Sequence, residues 1–177
     1  AIEEGGWHIV WANQYEPSTK MQPAYECYVK RFGKEDSSNL DINKVDKTKI
    51  PNHSLLVGGF PCQDYSVARS LSNEKGIEGK KGVLFWDIKD VLVEKDSPFV
   101  LLENVDRLLK SPAKLRGRDF AVMLKTFHDL GYDAQWRVIN AGDYSMPQKR
   151  RRVFIFAYKK DSQFGKSIKK DTLTSVS

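Results

Sequence analysis

The apolar run that starts at Leu55 ends abruptly in two glycines, Phe60, Pro61 and Cys62. A run closed in this way by glycine and proline predicts a buried strand that delivers a thiol into the loop at its carboxyl end. In open α/β sheets, ligands bind at that end of the strands. A second interpretation is that Cys62 only packs, because cysteine is among the most often buried residue types. The choice between the two depends on whether the thiol has chemical partners elsewhere in the chain.

Strand and helix patterns alternate along the sequence, which predicts an α/β fold with a parallel or mixed sheet covered on both faces. Besides the strand before Cys62, the predicted strands are Trp7–Ala12, Phe99–Leu102, Asp133–Asn140 and Val153–Tyr158. Helical spacing of apolar residues predicts helices over about 18–32, 83–92 and 120–130, with Cys27 packing in the first of them. Residues 64–82 are rich in Ser, Lys, Glu and Gly, which predicts a long mobile loop, and loops of this length are usually lids, binding loops or disordered segments.

The composition favours a polyanionic partner and argues against a metal site. The chain has 177 residues, 40% of them hydrophobic, which is enough for one globular domain, and its net charge is +6. Nucleic acid is preferred over a membrane because no basic amphipathic anchor, membrane span or secretory signal is evident. The two Cys and three His are scattered, which argues against disulfides and zinc and favours a reducing, intracellular compartment.

A carboxylate follows the second buried strand in the same way that Cys62 follows the first. Phe99–Leu102 leads directly into Glu103, so two parallel strands would present a nucleophile and a carboxylate at one edge of the sheet. A carboxyl group at the rim of an apolar strand can be partly desolvated and can then donate a proton. The alternative is that Glu103 only caps the following helix or pairs with a lysine.

Three consecutive arginines, Arg150, Arg151 and Arg152, precede the last predicted strand. Alternation along a strand would turn Arg150 and Arg152 to one face and Arg151 to the other. Two guanidinium groups on one face suit phosphates and the carbonyl oxygens of bases. The alternative is a solvated basic edge strand, which protects a sheet against aggregation.

Together these segments resemble the C5-cytosine DNA methyltransferase family. The residues Gly59–Gln63 match its Gly-Phe-Pro-Cys-Gln nucleophile motif, Glu103–Val105 its Glu-Asn-Val motif, and Gln148–Arg152 its Gln-x-Arg-x-Arg motif, in the family's order and with its ordinary spacing. The resemblance covers roughly residues 1–158. It implies a Rossmann-like, S-adenosylmethionine-dependent methyltransferase fold with a mixed, mostly parallel sheet whose last hairpin contributes the antiparallel strand.

The resemblance also implies that the chain is incomplete. The family's glycine-rich cofactor loop would lie upstream of Ala1, and its target-recognition domain would follow Tyr158. We therefore expect residues 1–158 to be a partial methyltransferase catalytic domain, truncated at both ends. The polar residues 159–177 are predicted to be a linker or the start of the target-recognition domain.

The mechanism implied by the resemblance is addition of the Cys62 thiolate to C6 of a cytosine flipped out of double-stranded DNA. Glu103 would hydrogen-bond or protonate N3, Arg152 would hold the base carbonyl O2, and Arg150 would meet a backbone phosphate. C5 would then take the methyl group of S-adenosylmethionine, and no metal is expected. The residues that match further substrate-contact positions are Gln63, Ser66, Asn104 and Gln148.

The cofactor contacts implied by the resemblance involve both halves of the sequence. Phe60 and Pro61 would border the methyl donor, and Leu84 would line the pocket. The adenine would meet Asp41 and Ile42 and stack on Tyr15. Many relatives bind the ribose with an acidic residue after the second strand, but the matching position here is Gln14, with Glu16 two residues later, so either residue could serve.

The predicted setting is the cytoplasm of a prokaryote, where a modification enzyme protects DNA from a partner restriction endonuclease. One alternative keeps the chemistry and changes the substrate to tRNA, although those relatives commonly have Pro-Pro-Cys-Gln where this chain has Phe60-Pro61-Cys62-Gln63. A second alternative is a non-catalytic, basic remnant that only binds nucleic acid. The presence of Cys62, Glu103 and Arg152 together argues against it, because charge alone would not need all three.

Overall fold

The computed structural model describes residues 6–60, 84–110 and 116–174, with side chains described as far as residue 168. Four predicted site residues, Pro61, Cys62, Gln63 and Ser66, and the predicted loop at 64–82 lie outside the described residues. The chain divides into two compact units, Ala1–His53 and Ser54–Ser177, which we call the N-terminal and C-terminal units. The predicted domain boundary at residue 158 stays a prediction.

The N-terminal unit contains two short parallel strands, β1 (Ala12–Asn13) and β2 (Ser37–Ser38), joined by helix α1 (Pro23–Phe32). The predicted strand Trp7–Ala12 was wrong for all but its last residue, because the chain pairs with β2 only from Ala12 onward. The predicted helix start near residue 18 was also too early. The helix begins at Pro23, where the fixed φ and missing N–H of proline suit a first turn.

Cys27 lies on α1 but is exposed, so the prediction that it packs was wrong. None of the side chains of this helix is fully buried. Two 3₁₀ turns follow β2, at Ile42–Lys44 and Lys47–Lys49, each capped by an aspartate that accepts a backbone N–H.

The C-terminal unit is built on a four-stranded sheet in the order β3-β4-β6-β5. Its elements, in chain order, are β3 (Leu55–Gly59), α2 (Leu84–Lys95), β4 (Phe99–Val105), α3 (Arg118–Asp129), β5 (Tyr132–Asn140), β6 (Arg151–Lys159) and α4 (Gln163–Thr174). The strands β3 and β4 are parallel, and β6 is antiparallel to both β4 and β5. Three strands therefore share one direction, which confirms the mixed, mostly parallel sheet and the antiparallel last strand.

Side-chain alternation gives this sheet one fully buried face. On that face Val100 and Leu102 of β4 lie opposite Ala157 and Ile155 of β6, and all four are at most 1% exposed. The helices α2 and α3 supply the aromatic and aliphatic residues that complete the core, among them Phe85, Leu92, Phe120, Met123 and Phe127. The intervening residues of β4 point to the other face and are only half-buried.

Regular structure continues after Tyr158, where the sequence predicted a linker or the start of the target-recognition domain. The strand β6 runs through Lys159, and α4 follows four residues later. The ring of Phe164 lies 5.1–5.9 Å from the rings of Phe99, Phe156 and Tyr158, measured between centroids. At Gly165 an added Cβ would come within 2.5 Å of the Lys159 carbonyl oxygen, so only glycine fits there. None of the helices in the described ranges has both the length and the apolar composition needed to cross a bilayer.

Candidate active site

The ends of β3 and β4 lie side by side, as the two apolar runs predicted. The strands are parallel and in register, so Gly59 lies opposite Glu103. A Cβ atom at position 59 would be 3.6 Å from Oε2 of Glu103, so the glycine leaves the carboxylate uncovered. The chain continues from Gly59 to Phe60, which precedes Pro61 and Cys62 in the sequence.

Glu103 forms an ion pair with Arg152. The Nε of Arg152 lies 2.8 Å from Oε1 of Glu103, and the two side chains are 23% and 37% exposed. The sheet register explains this contact: Val105 lies opposite Arg152, so Glu103, two residues earlier on the same face of β4, is its diagonal neighbour. An arginine of β6, and not a lysine or a helix N-terminus, is therefore the partner of this carboxylate.

The guanidinium of Arg152 has a second anchor. Its Nη1 donates to the main-chain carbonyl of Arg151 at 2.8 Å. A planar guanidinium with two fixed contacts has a defined direction, and its remaining N–H groups stay available to an incoming acceptor. The arrangement can therefore present a carboxyl group and a guanidinium donor side by side to one ligand, such as the edge of a pyrimidine that carries N3 and O2.

Asn104 points to the buried face of β4 and is 2% exposed. Its Nδ2 donates to the main-chain carbonyl of Phe60 at 2.9 Å, and its Oδ1 accepts from the N–H of Val105 at 2.8 Å. The amide is thus committed to the protein and ties the end of β4 to the residue that follows β3. A contact between Asn104 and substrate stays a prediction, and this position does not support it.

A basic concavity of about 560 Å³, which we call the arginine concavity, opens where β4 ends and β6 begins. It is lined by Val105, Asp106, Arg107, Gln148, Lys149, Arg150, Arg151 and Arg152. The predicted residues Gln148, Arg150 and Arg152 are therefore brought together. Because β6 begins at Arg151, Arg150 lies just before the strand, and its carbonyl accepts from the N–H of Ala141 at 3.0 Å.

Arg151 contributes an ion pair that the sequence did not indicate. Its Nε lies 3.0 Å from Oδ2 of Asp106, the residue that follows β4. Asp106, Arg107 and Lys149 were missed because they lie outside the recognised motif positions. The one feature of the sequence that points to Asp106 is its negative charge, three residues after Glu103. Its partner could not be predicted, because that depends on the strand register, which sequence spacing alone does not give.

Two predicted cofactor residues lie in the C-terminal unit. Phe60 is 7% exposed, and its ring lies in the core, 6.2 Å from that of Phe85. Leu84 is the first residue of α2 and packs partly buried against the same core. The sheet accounts for both positions, because Phe60 directly follows β3 and Leu84 begins the helix that precedes β4.

The other predicted cofactor residues lie in the N-terminal unit. Asp41 caps a 3₁₀ turn that contains Ile42, and the hydrogen bond from the Asn43 side chain is the main cause that lowers the pKa of its carboxyl group. Tyr15 is 39% exposed. A charged carboxylate and an accessible ring suit the amino group and the face of an adenine.

Gln14 and Glu16 differ in how they are used. Oε1 of Glu16 accepts from both the N–H and the Oγ of Ser18, at 3.0 and 2.7 Å, and the pKa of this carboxyl group is lowered chiefly by the Ser18 hydroxyl. Gln14 lines a cleft of about 150 Å³ beside β1 and α1, bounded also by Tyr25 and Tyr28. The carboxylate at position 16 thus stabilises a local turn, while Gln14 borders open space.

Among the residues that the structure describes, no group of three or more His, Cys, Asp or Glu side chains could hold a metal ion. The polar groups that converge at the site are those of the ion pairs and the arginine concavity.

Comparison with known proteins gives consistent relatives. The chain is 54% identical over 176 residues to the type II methyltransferase M.Sau3AI of Staphylococcus aureus, an alignment that covers 98% of this chain and 43% of that protein. It is 33% identical to the type II methyltransferase M.HhaI of Haemophilus parahaemolyticus over 91% of this chain and 45% of that protein. The chain thus spans less than half the length of these relatives.

The fold is similar to that of the Dnmt2 methyltransferase of S. pombe, with a TM-score of 0.65 and 20% sequence identity over 91% of this chain and 47% of that chain. The sequence model of the family of C-5 cytosine-specific DNA methylases matches residues 1–176 of this chain. Members of this family use S-adenosylmethionine as the methyl donor. The chain therefore belongs to the C-5 cytosine-specific DNA methylase family.

Proposed function

We propose that the protein containing this chain transfers a methyl group from S-adenosylmethionine to C5 of cytosine in double-stranded DNA. The observation that carries the proposal is the ion pair of Glu103 and Arg152, at 2.8 Å, beside the end of the strand that leads to Cys62. Family membership supplies the reaction class, and the two relatives named above are type II methyltransferases.

In the proposed reaction, the Cys62 thiolate attacks C6 of a cytosine flipped out of the duplex, and a C–S bond forms as the C5–C6 double bond is broken. Glu103 donates a hydrogen bond or a proton to N3, which takes up the electron density, and a guanidinium N–H of Arg152 binds O2. C5 would then take the methyl group as the bond from the methyl carbon to the cofactor sulfur breaks, with S-adenosylhomocysteine as the other product. Loss of the C5 proton to a base, departure of the thiolate and return of any N3 proton to Glu103 restore the aromatic ring and the free enzyme.

S-adenosylmethionine supplies an electrophilic methyl group when bound. The residues proposed to hold it are Gln14, Tyr15, Asp41, Ile42, Phe60, Pro61 and Leu84. The charged Asp41 and the accessible Tyr15 fit an adenosine, as does Gln14 at its cleft. Between the two candidates for the ribose hydroxyls we propose Gln14, because one carboxylate oxygen of Glu16 is already bound to Ser18.

Gln148 and Arg150 are proposed to meet the DNA backbone from the arginine concavity, and Gln63 and Ser66 to contact the flipped nucleotide. Asn104 acts in this proposal through Phe60 and not on the substrate. We further propose that the protein acts in the cytoplasm of a prokaryote as the modification enzyme of a restriction-modification system, with an endonuclease that cuts the same site.

The test is covalent trapping of the whole protein on DNA that contains 5-fluorocytosine, in the presence of S-adenosylmethionine. Fluorine at C5 blocks the elimination, so the wild-type protein should accumulate an adduct that survives denaturing electrophoresis, whereas Cys62→Ser should form none. Glu103→Gln should form it roughly 100 to 10,000 times more slowly, the range typical of a lost general acid. Glu94→Gln, an exposed change on α2, is the control.

An adduct that persists in the Cys62→Ser variant would overturn the assignment of the nucleophile. An adduct that forms on fluorinated tRNA but on no DNA would favour the tRNA alternative. A protein that binds DNA and traps neither substrate would be the non-catalytic remnant.

A further inference from the structure

A second carboxylate–guanidinium pair flanks the Glu103–Arg152 pair and has no role in the proposed reaction. Asp106 and Arg151 are joined at 3.0 Å. Asp106 is the first residue after β4, and Arg151 is the first residue of β6. The pair therefore ties the end of one strand to the start of its neighbour, and both residues line the arginine concavity.

Stability does not account for this pair. The side chain of Arg151 is 64% exposed and that of Asp106 is 41% exposed, and ion pairs exposed to this degree contribute little to the stability of the fold. A role in binding phosphate does not account for it either, because the carboxylate of Asp106 neutralises one of the cations that line the concavity. The ion pair leaves one fewer free positive charge for a phosphate, so a role in the geometry of the site is the explanation that remains.

The geometry connects the pair to the catalytic arginine. The Arg152 guanidinium is oriented by Glu103 at its Nε and by the Arg151 carbonyl at its Nη1. The position of that carbonyl depends on how the first residue of β6 is held. Main-chain pairing holds Arg151 from the β5 side, opposite Asn140, and its side chain holds it from the β4 side, through Asp106.

We infer that Asp106 is a positioning residue: by binding Arg151 it fixes the start of β6 and, through the Arg151 carbonyl, aims the Arg152 guanidinium beside Glu103. The inference rests on the proposed function, since it assigns Asp106 a role in that reaction. Small displacements of catalytic groups cost large factors in rate, so a pair that adds little stability can still affect turnover.

The experiment uses the whole protein and measures two quantities, the single-turnover rate of methyl transfer at saturating DNA and cofactor, and the dissociation constant for DNA. Asp106→Ala should lower the rate roughly tenfold, as a modest misplacement does, and should leave the DNA dissociation constant within about twofold. Arg151→Asp should lower the rate at least as much. Exchanging the charges in Asp106→Arg/Arg151→Asp should restore most of the rate, because the contact is rebuilt with opposite signs.

The matched control is Asp129→Ala. Asp129 also belongs to an exposed ion pair, with Lys125 on α3, so the change removes the same charge and the same kind of contact. It lies three residues before β5, whose first residue pairs with the last residue of β6, at the opposite end of that strand from Arg151. The control should change neither the rate nor DNA affinity.

Three outcomes would contradict the inference. An Asp106→Ala rate equal to that of wild type removes the positioning role. Tighter DNA binding in Asp106→Ala with an unchanged rate would show that Asp106 only masks charge. Weaker DNA binding in Arg151→Asp that the exchanged pair does not recover would make Arg151 a phosphate contact. A wild-type protein that transfers no methyl group would instead overturn the proposed function and the inference with it.

Discussion

At the scale of single residues, the end of β4 joins its neighbours through two side chains, Glu103 toward Arg152 of β6 and Asn104 toward the residue that follows β3. Glu103 and Arg152 were both expected at the site, and they lie 2.8 Å apart. The expectation came from strand ends and motif order, which determine proximity. The burial of Asn104 could not be predicted in this way, because it depends on which face of β4 each residue takes, and the motif does not specify the face.

Asn104 offers a test of how the end of β3 is held. In Asn104→Ala the Phe60 carbonyl and the Val105 N–H each lose one hydrogen bond, and a buried polar group left unpaired costs about 1–3 kcal/mol. The free energy of unfolding should fall by about that amount, measured by urea denaturation. Methyl transfer should also slow, because Phe60 leads directly to Pro61 and Cys62.

The control for this variant is Gln135→Ala, an exposed change on β5 that should alter stability by less than about 0.5 kcal/mol. If Asn104→Ala were as stable as wild type but bound DNA more weakly, the amide would act on substrate, as the sequence first suggested.

At the scale of elements, apolar periodicity predicted the core helices and the strands of the C-terminal unit, and it failed where few apolar residues were present. Helices α2 and α3 carry the large buried side chains that the spacing indicated. The helix α4 was missed because its segment is polar, with Phe164 as the one aromatic residue. The short β1 was overestimated, since Trp7–Ala12 has the composition of a strand but pairs only at its end.

Phe164 is the residue that should decide whether α4 is held to the sheet. Its ring contacts three aromatic rings of β4 and β6, and it is 39% exposed. Phe164→Ala should lower the free energy of unfolding by about 1–3 kcal/mol, less than the roughly 3–5 kcal/mol of a fully buried phenylalanine. Amide hydrogen exchange in residues 163–174 should rise at the same time.

Val93→Ala, an exposed apolar change on α2, is the matched control and should leave both measurements near their wild-type values. Rapid amide exchange of α4 already in the wild-type protein would mean that the aromatic contacts do not hold the helix on the sheet. The segment would then behave as the linker that its composition predicts.

At the scale of the whole molecule, the net charge of +6 predicted a polyanionic partner without saying where it binds. The structure concentrates five cationic residues around one concavity, with Arg151 and Arg152 engaged in ion pairs. Arg107, Lys149 and Arg150 form no ion pair with any residue that the structure describes. The position of these cations depends on where β4 ends and β6 begins, which only the register of the sheet reveals.

The salt dependence of DNA binding should count the contacts made by this surface. Each phosphate neutralised by a cation adds close to one unit to the slope of log K against log salt, because one condensed counterion is released. Arg150→Ala in the whole protein should weaken binding for all DNA sequences alike and reduce the magnitude of that slope by about 1. Lys125→Ala removes the same charge from α3, near the end of the sheet opposite the concavity, and should leave the slope unchanged. Equal slopes for wild type and Arg150→Ala, measured by fluorescence anisotropy over a series of salt concentrations, would mean that no phosphate of the DNA binds Arg150.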